Sequence, residues 1–334
     1  MDAMKDGTCF NTQKGHLFIS LGYLHPPKSI YSVLKYYQKE NGEIQRTLLG
    51  RGVSDFVDSI SLLKDDHPNF LQYSPAYDCE LLCVPNQEII HVYDGLKRYR
   101  ELCTNPRNKF EIAATRLRSI LMGLGLPEDS IHLRGSILYA QPRPDSDLDL
   151  SIVGKENFSS YIDVIDEARG VKVMPPSEVE RNVDLLSGVC PLPKNELVKH
   201  VRRRKTKLHF DGVPVSVKCV RSDTEVKREI PSFPLVKASN LGETTLQGTV
   251  LEASASCCYP VEFDVDAISS GGNQISSILC FESLFAEFLL PGESFEAKGM
   301  IQEVNIGNNT PVYRLILGTR ELVGKEYLRG TDLR

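Results

Sequence analysis

The chain has 334 residues, 41% of them hydrophobic and 25% charged, with a formal net charge of −5 and nine cysteines. That length exceeds one ordinary core, and the balance excludes a disordered chain. An acidic total excludes general attraction for nucleic acid, so any polyanion site has to be a local basic patch. No apolar run reaches the ~20 residues that span a bilayer.

The first segment, roughly residues 1–91, mixes short strands with helices. "HLFISLGYL" has the composition of a strand, "HPPK" is a turn with His25 in it, and "SIYSVLKYY" suits a strand or a short helix. "SDFVDSISLLKDD" spaces its apolar residues as a helix does, and "DCELLCVP" is a buried strand. Nothing at the N-terminus has the pattern of a secretory leader. The cysteines lie mostly among apolar residues with no CxxC pair, as reduced core thiols do. Together these predict a cytosolic protein that does not engage a membrane.

A second segment, residues 92–232, follows. In "FEIAATRLRSILMGLG", Phe110, Ala114, Leu117 and Leu121 share a helical face, and Gly123 and Gly125 close the helix. "PEDSIHL" leads into a short strand that delivers Arg134, Gly135 and Ser136. "LDLSIV" alternates, with Leu148, Leu150 and Ile152 on one face and Asp147, Asp149 and Ser151 on the other. "KENFSSYIDVIDEA" and "KNELVKHVRRRKTK" suit helices. Asp211-Gly212 inside "KLHFDGVPVSVKCV" is a hairpin signal. Pro231 and Pro234 mark a linker between Glu229 and Asn240. The third segment, residues 240–330, repeats strand patterns in "TLQGTVLEAS", "PVEFDVDAI", "SFEAKGMIQEV" and "PVYRLILGT". One helical stretch, "FESLFAEFLL", lies between them. That spacing suits a small OB-like β-barrel, in which Phe263, Phe295 and Tyr313 read as core rather than as stacking platforms. The fold class expected for the whole is α+β.

The chemistry concentrates in "RGSILYAQPRPDSDLDLSIVG", Arg134 to Gly154. Two carboxylates two positions apart on one strand point the same way, with their stems about 7 Å apart. A divalent cation keeps both ionised, and Mg2+ suits hard oxygen ligands. Gly135 lets a phosphate approach the backbone and Ser136 offers a hydroxyl. Arg134 beside them is a candidate phosphate contact. Asp145 in the loop reads as a turn cap rather than a metal ligand.

Gly135-Ser136, ten residues, then Asp147-Leu148-Asp149-Leu150 resembles the signature of the DNA polymerase β-type nucleotidyltransferase superfamily. The whole chain, through "GYLHPP", "IHVYDGLKRYREL", "LRGSIL" and a β-rich end near "GKEYL", resembles a mostly archaeal group of predicted nucleotidyltransferases. The resemblance implies a central mixed sheet with helices and a Mg2+-dependent transfer of a nucleoside monophosphate from NTP. The acceptor would be a hydroxyl on an RNA end or a small molecule. Asp147 and Asp149 would be the catalytic metal ligands, and Arg134, Gly135 and Ser136 the nucleotide contacts.

The resemblance also implies a third carboxylate on a neighbouring strand. "GVPVSVKCV" is that strand by its position, and its polar face reads Pro214, Ser216, Lys218. A serine stands where an acid is expected. Either the acid comes from elsewhere, with Asp184 in "NVDLL" preferred over Asp211, Asp264 and Asp266, or the site binds nucleotide without fast chemistry. In the second case Ser216 and Lys218 are binding residues and Lys218 replaces a cation's charge. Arg202, Arg203, Arg204, Lys205 and Lys207 crowd a helix end. They are either a solvated turn that complements the helix dipole or a grip on triphosphate or RNA. Enzyme and degenerate nucleotide or RNA binder are thus the two functional expectations.

Overall fold

The computed structural model describes residues 4–47, 53–139 and 146–331. They form a mixed α+β protein with three sheets and eight α-helices among the described residues. The chain divides into two compact units. One holds residues 1–92, 183–197 and 227–334, and the other holds residues 93–182 and 198–226.

The first sheet is built from β1 (Cys9–Thr12), β2 (Leu17–Ser20), β3 (Ser29–Gln38), β4 (Ile44–Arg46), β5 (Leu71–Ser74), β6 (Cys79–Pro85) and β7 (Ile89–Val92). Their order is β5-β6-β3-β2-β1-β7, with β4 paired to β3. "SIYSVLKYY" is a strand, since its first six residues in β3 are all buried, and a β-branched and aromatic run suits a sheet. Helix α1 (Val53–Leu63) packs on β3. Met4, Phe10, Phe18, Leu34, Leu82 and their neighbours form one core.

The C-terminal strands are β13 (Val236–Glu252), β14 (Val261–Ile268), β15 (Gln274–Cys280), β16 (Ser294–Ile306), β17 (Val312–Leu317) and β18 (Tyr327–Gly330). Pairings run β13-β14-β15-β17-β16 and return to β13, a closed circuit of five strands in which β15 and β17 are parallel. Phe263 and Phe295 are completely buried, as core aromatics are. Tyr31, Tyr77 and Cys83 of the first segment share a second core with Val236, Ala238, Leu279 and Val304 of the third. Arg314 helps to hold them together, donating to the Ala76 carbonyl at 3.0 Å and to Gln302.

Two expectations fail here. "FESLFAEFLL" makes only a 3-10 turn at Ser283–Phe285. Ala286 is extended and Glu287 takes a positive φ of 57°, a path that buries Phe285, Phe288 and Leu289 together. The linker is also shorter than its prolines suggest, since helix α8 (Asp223–Glu229) runs into it and β13 begins at Val236.

The other unit carries the site. Its sheet comprises β8 (Ile131–Leu133), β9 (Leu148–Val153), β10 (Val171–Val173), β11 (Lys207–Phe210) and β12 (Val213–Val220), ordered β10-β11-β12-β9-β8. Strands β9 and β12 are parallel and the other pairs are antiparallel. Helix α2 (Gly95–Thr104) is capped by the Asp94 side chain, and α3 (Lys109–Gly123) by Asn108. Phe110, Ala114, Leu117 and Leu121 of α3 are all buried, as their spacing requires. Tyr99 is fully buried, and its hydroxyl donates to the Ala114 carbonyl at 2.6 Å, locking α2 to α3. Helix α5 (Lys155–Val164) packs on β9 and β12. Helices α6 (Pro176–Val189) and α7 (Lys194–Arg203) follow, each crossing the boundary between the units in the chain.

Candidate functional site

Strand β9 is an inner strand, paired on both edges, and its Leu148, Leu150 and Ile152 are all completely buried on one face. The alternation leaves Asp149 on the other face, half-buried, with Asp147 half-buried just before the strand. Strand β8 pairs with β9 as Leu133↔Leu150, and the next residue, Arg134, donates its backbone N–H to the Asp149 carbonyl at 2.8 Å. The chain then turns sharply into a four-residue helix, α4 (Gly135–Leu138).

That turn requires Gly135. Its φ is +62°, and a Cβ built there would lie 2.0 Å from Asp149 Oδ2 and 2.8 Å from its Cγ. The glycine therefore leaves the space that the Asp149 carboxylate occupies. Next to it, Ser136 Oγ donates to Ser146 Oγ at 3.2 Å, tying α4 to the residue before Asp147. Gly135, Ser136, Asp149 and the approach to Asp147 thus meet at one end of β9. Asp145 lies outside the described residues.

The donors that the turn gathers are oxygens: the Asp149 carboxylate and the Ser136 and Ser146 hydroxyls, with Asp147 next along the chain after Ser146. They fit Mg2+, which takes hard oxygen ligands and keeps part of its water. When bound, such a cation would act as a Lewis acid and neutralise negative charge at the site.

Strand β12 brings Ser216 directly opposite Asp149, with Lys218 opposite Ser151. Ser216 is buried and Lys218 is exposed. The Asp211-Gly212 turn, both residues at positive φ (50° and 76°), sets the neighbouring register, with Lys207↔Ser216 and His209↔Pro214. Lys207 Nζ donates to Ser216 Oγ at 2.9 Å. A row Asp149, Ser216, Lys207 therefore crosses three adjacent strands on one face, and the ammonium beside Ser216 is that of Lys207.

Among the described residues, the strand pairs of this row bring in none of the substitutes for a third acid. "NVDLL" is helical, inside α6, so Val183 and Leu186 turn inward while Asp184 is 57% exposed and ion-paired with Lys194 at 2.7 Å. It falls in the other compact unit from Asp147 and Asp149. Asp211 is held in its turn by Arg116 at 2.5 Å. Asp264 and Asp266 are exposed on β14.

The basic cluster also divides. Arg202 is exposed and Arg203 half-buried in the last turn of α7, and Arg204 is half-buried just beyond it. Lys205 turns to α5, donating to the Ile162 carbonyl at 3.0 Å and pairing with Asp166 at 2.7 Å. Its carbonyl accepts from Tyr161. Its ammonium is thus tied to α5, while that of Lys207 reaches Ser216.

Two features were not expected from the sequence. One is the Lys207–Ser216 contact, which the two-residue hairpin encodes by fixing register. The other is Glu178, in the first turn of α6, whose carboxylate lies 2.7 Å from His209 Nε2 on the neighbouring row. No local signal links those two, since 31 positions of chain separate them.

No family model matches the chain, and no solved structure matches it. The chain is similar to an uncharacterized protein of Methanocaldococcus jannaschii, 21% identical over 333 residues, or 95% of this chain and 96% of that protein. The likeness extends through both compact units and brings no activity with it.

Proposed function

We propose that the chain is a Mg2+-dependent nucleotidyltransferase that moves a nucleoside monophosphate from NTP to an acceptor hydroxyl and releases pyrophosphate. The observation that carries the reading is the seat of the Asp149 carboxylate against Gly135. A sharp glycine turn and a metal-binding acid occupy one spot, with Ser136 beside them. In this reading Asp147 and Asp149 hold the cation, while Arg134, Gly135 and Ser136 seat the phosphates. The strand–short helix–strand order of β8, α4 and β9, with β12 alongside, supports a polymerase β-type sheet. The closed circuit of β13 to β17 supports an OB-like barrel. The acceptor is an RNA end or a small molecule.

Asp147→Asn and Asp149→Asn test this, with Mg2+-dependent ATP binding and pyrophosphate release measured beside the parent chain. Loss of both signals in each variant is expected. Binding and release that survive both substitutions would remove the carboxylates from the mechanism. Ser216 opposite Asp149 favours a second reading, a nucleotide or RNA binder with little turnover, because a missing base costs about 10²- to 10⁴-fold in rate. It is distinguished by Mg2+-dependent ATP binding with no pyrophosphate release for any acceptor.

A further inference from the structure

We propose that Lys207, resting on Ser216 beside Asp149, is the phosphate-binding cation of this site, which therefore holds a nucleoside triphosphate with one divalent cation rather than two. The inference rests on the nucleotide-site reading above.

Neighbouring strands lie about 4.8 Å apart, and directly paired residues project to the same face. Asp149, Ser216 and Lys207 are paired in succession across β9, β12 and β11. Lys207 starts two strands from Asp149. Its ammonium, 2.9 Å from Ser216 Oγ, reaches the middle strand, which pairs with that of Asp149. Among the described residues Ser216 is its hydrogen-bond partner and no carboxylate pairs with it. Its charge is available to an anion.

The same geometry disfavours a second cation. A divalent ion at the Ser216 position would lose the carboxylate ligand that an acid would supply. It would also sit beside the positive charge of Lys207. Glu178, which reaches the adjacent row from α6, lies beside His209 rather than in the row of Asp149 and Ser216. Asp147 and Asp149 carry two negative charges, enough for one Mg2+, while a triphosphate brings further negative charge that an ammonium complements. Lys218, opposite Ser151 two residues along the strand, is exposed.

The experiment counts Mn2+ bound to the full chain with and without ATP by electron paramagnetic resonance. It then compares ATP, ADP and AMP affinities for the parent chain, Lys207→Met and Asp149→Asn. One Mn2+ per chain in the ATP complex is expected. Lys207→Met should weaken ATP binding by about 10- to 100-fold, the loss of one charge-assisted contact, and AMP binding by much less. Two Mn2+ per ATP complex would overturn the proposal, a count made on the unaltered chain and so independent of how the variant folds. Unchanged ATP affinity in Lys207→Met, with Asp149→Asn still abolishing it, overturns the role of Lys207 and spares the site. A parent chain that binds no Mn2+–ATP overturns both.

Discussion

The contact between Gly135 and Asp149 gives the sharpest test of the site's geometry. In Gly135→Ala the new methyl meets Asp149 Oδ2 at 2.0 Å, where ordinary contact begins near 3.4 Å, so the carboxylate has to recede by about 1.4 Å. The alanine also inherits a φ of +62°, which costs an L-residue about 1–2 kcal/mol. Overpacking adds about 1–3 kcal/mol, so the expected loss is about 2–5 kcal/mol, a fall in Tm of roughly 10 °C. Because part of that loss is the clash, Asp149→Ala should relieve it. The double variant should then be more stable than the sum of the singles predicts, by about 1–3 kcal/mol. Thermal melts and urea titrations of the four chains give the cycle, and ATP titration of Gly135→Ala reports the displaced carboxylate. Strict additivity, or a Gly135→Ala chain as stable as its parent, would refute the claim that glycine is there to admit Asp149.

Further outcomes follow from the rest of the fold. His16 is 1% exposed, accepts from the Gln38 N–H through Nδ1, and stacks on Tyr37. Burial first, then the charge of neighbouring His67, lowers its pKa to about 4. A depressed histidine contributes stability above pH 6.5 that is lost as pH falls toward 4, up to about 3 kcal/mol. Urea titrations between pH 8 and pH 4 should show that loss and His16→Leu should flatten it, whereas identical pH slopes would count against a neutral buried ring. Gly95→Ala puts a Cβ 2.3 Å from the Leu133 carbonyl oxygen, while Gly123 in α3 has nothing within 4 Å. The first should cost about 1–3 kcal/mol and Gly123→Ala should gain about 0.5–1 kcal/mol, and the reverse ranking in a melt would contradict the seating of α2 on β8. Lys205→Met should lower Tm by a few degrees without changing ATP affinity, because its ammonium serves α5. Arg202→Gln, an exposed position, should leave Tm alone.

Elements whose information is local were readable. The alternation in "LDLSIV", the helical face through Leu117 and Leu121, and the Asp211-Gly212 hairpin each depend on residues within a turn or two of one another. The run from Phe281 to Leu290 is apolar at too many positions to have one helical face, and its burial is set by what surrounds it. The setting of Asp184 was hidden for a related reason. An acid flanked by apolar residues looks alike in a strand and a helix over five positions, and only the 3.6-residue period of α6 turns it outward.

Local pattern sufficed for the Gly-Ser turn, the paired aspartates and the two-residue hairpin, because steric and hydrophobic preferences act between near neighbours. Tertiary structure decided that β12 lies parallel beside β9, which puts Ser216 and then Lys207 across from Asp149. It also decided that the first and third segments share a core around Tyr31 and Val236. Strand partners are chosen by burying whole faces, a free energy summed over distant residues that no single stretch of chain encodes.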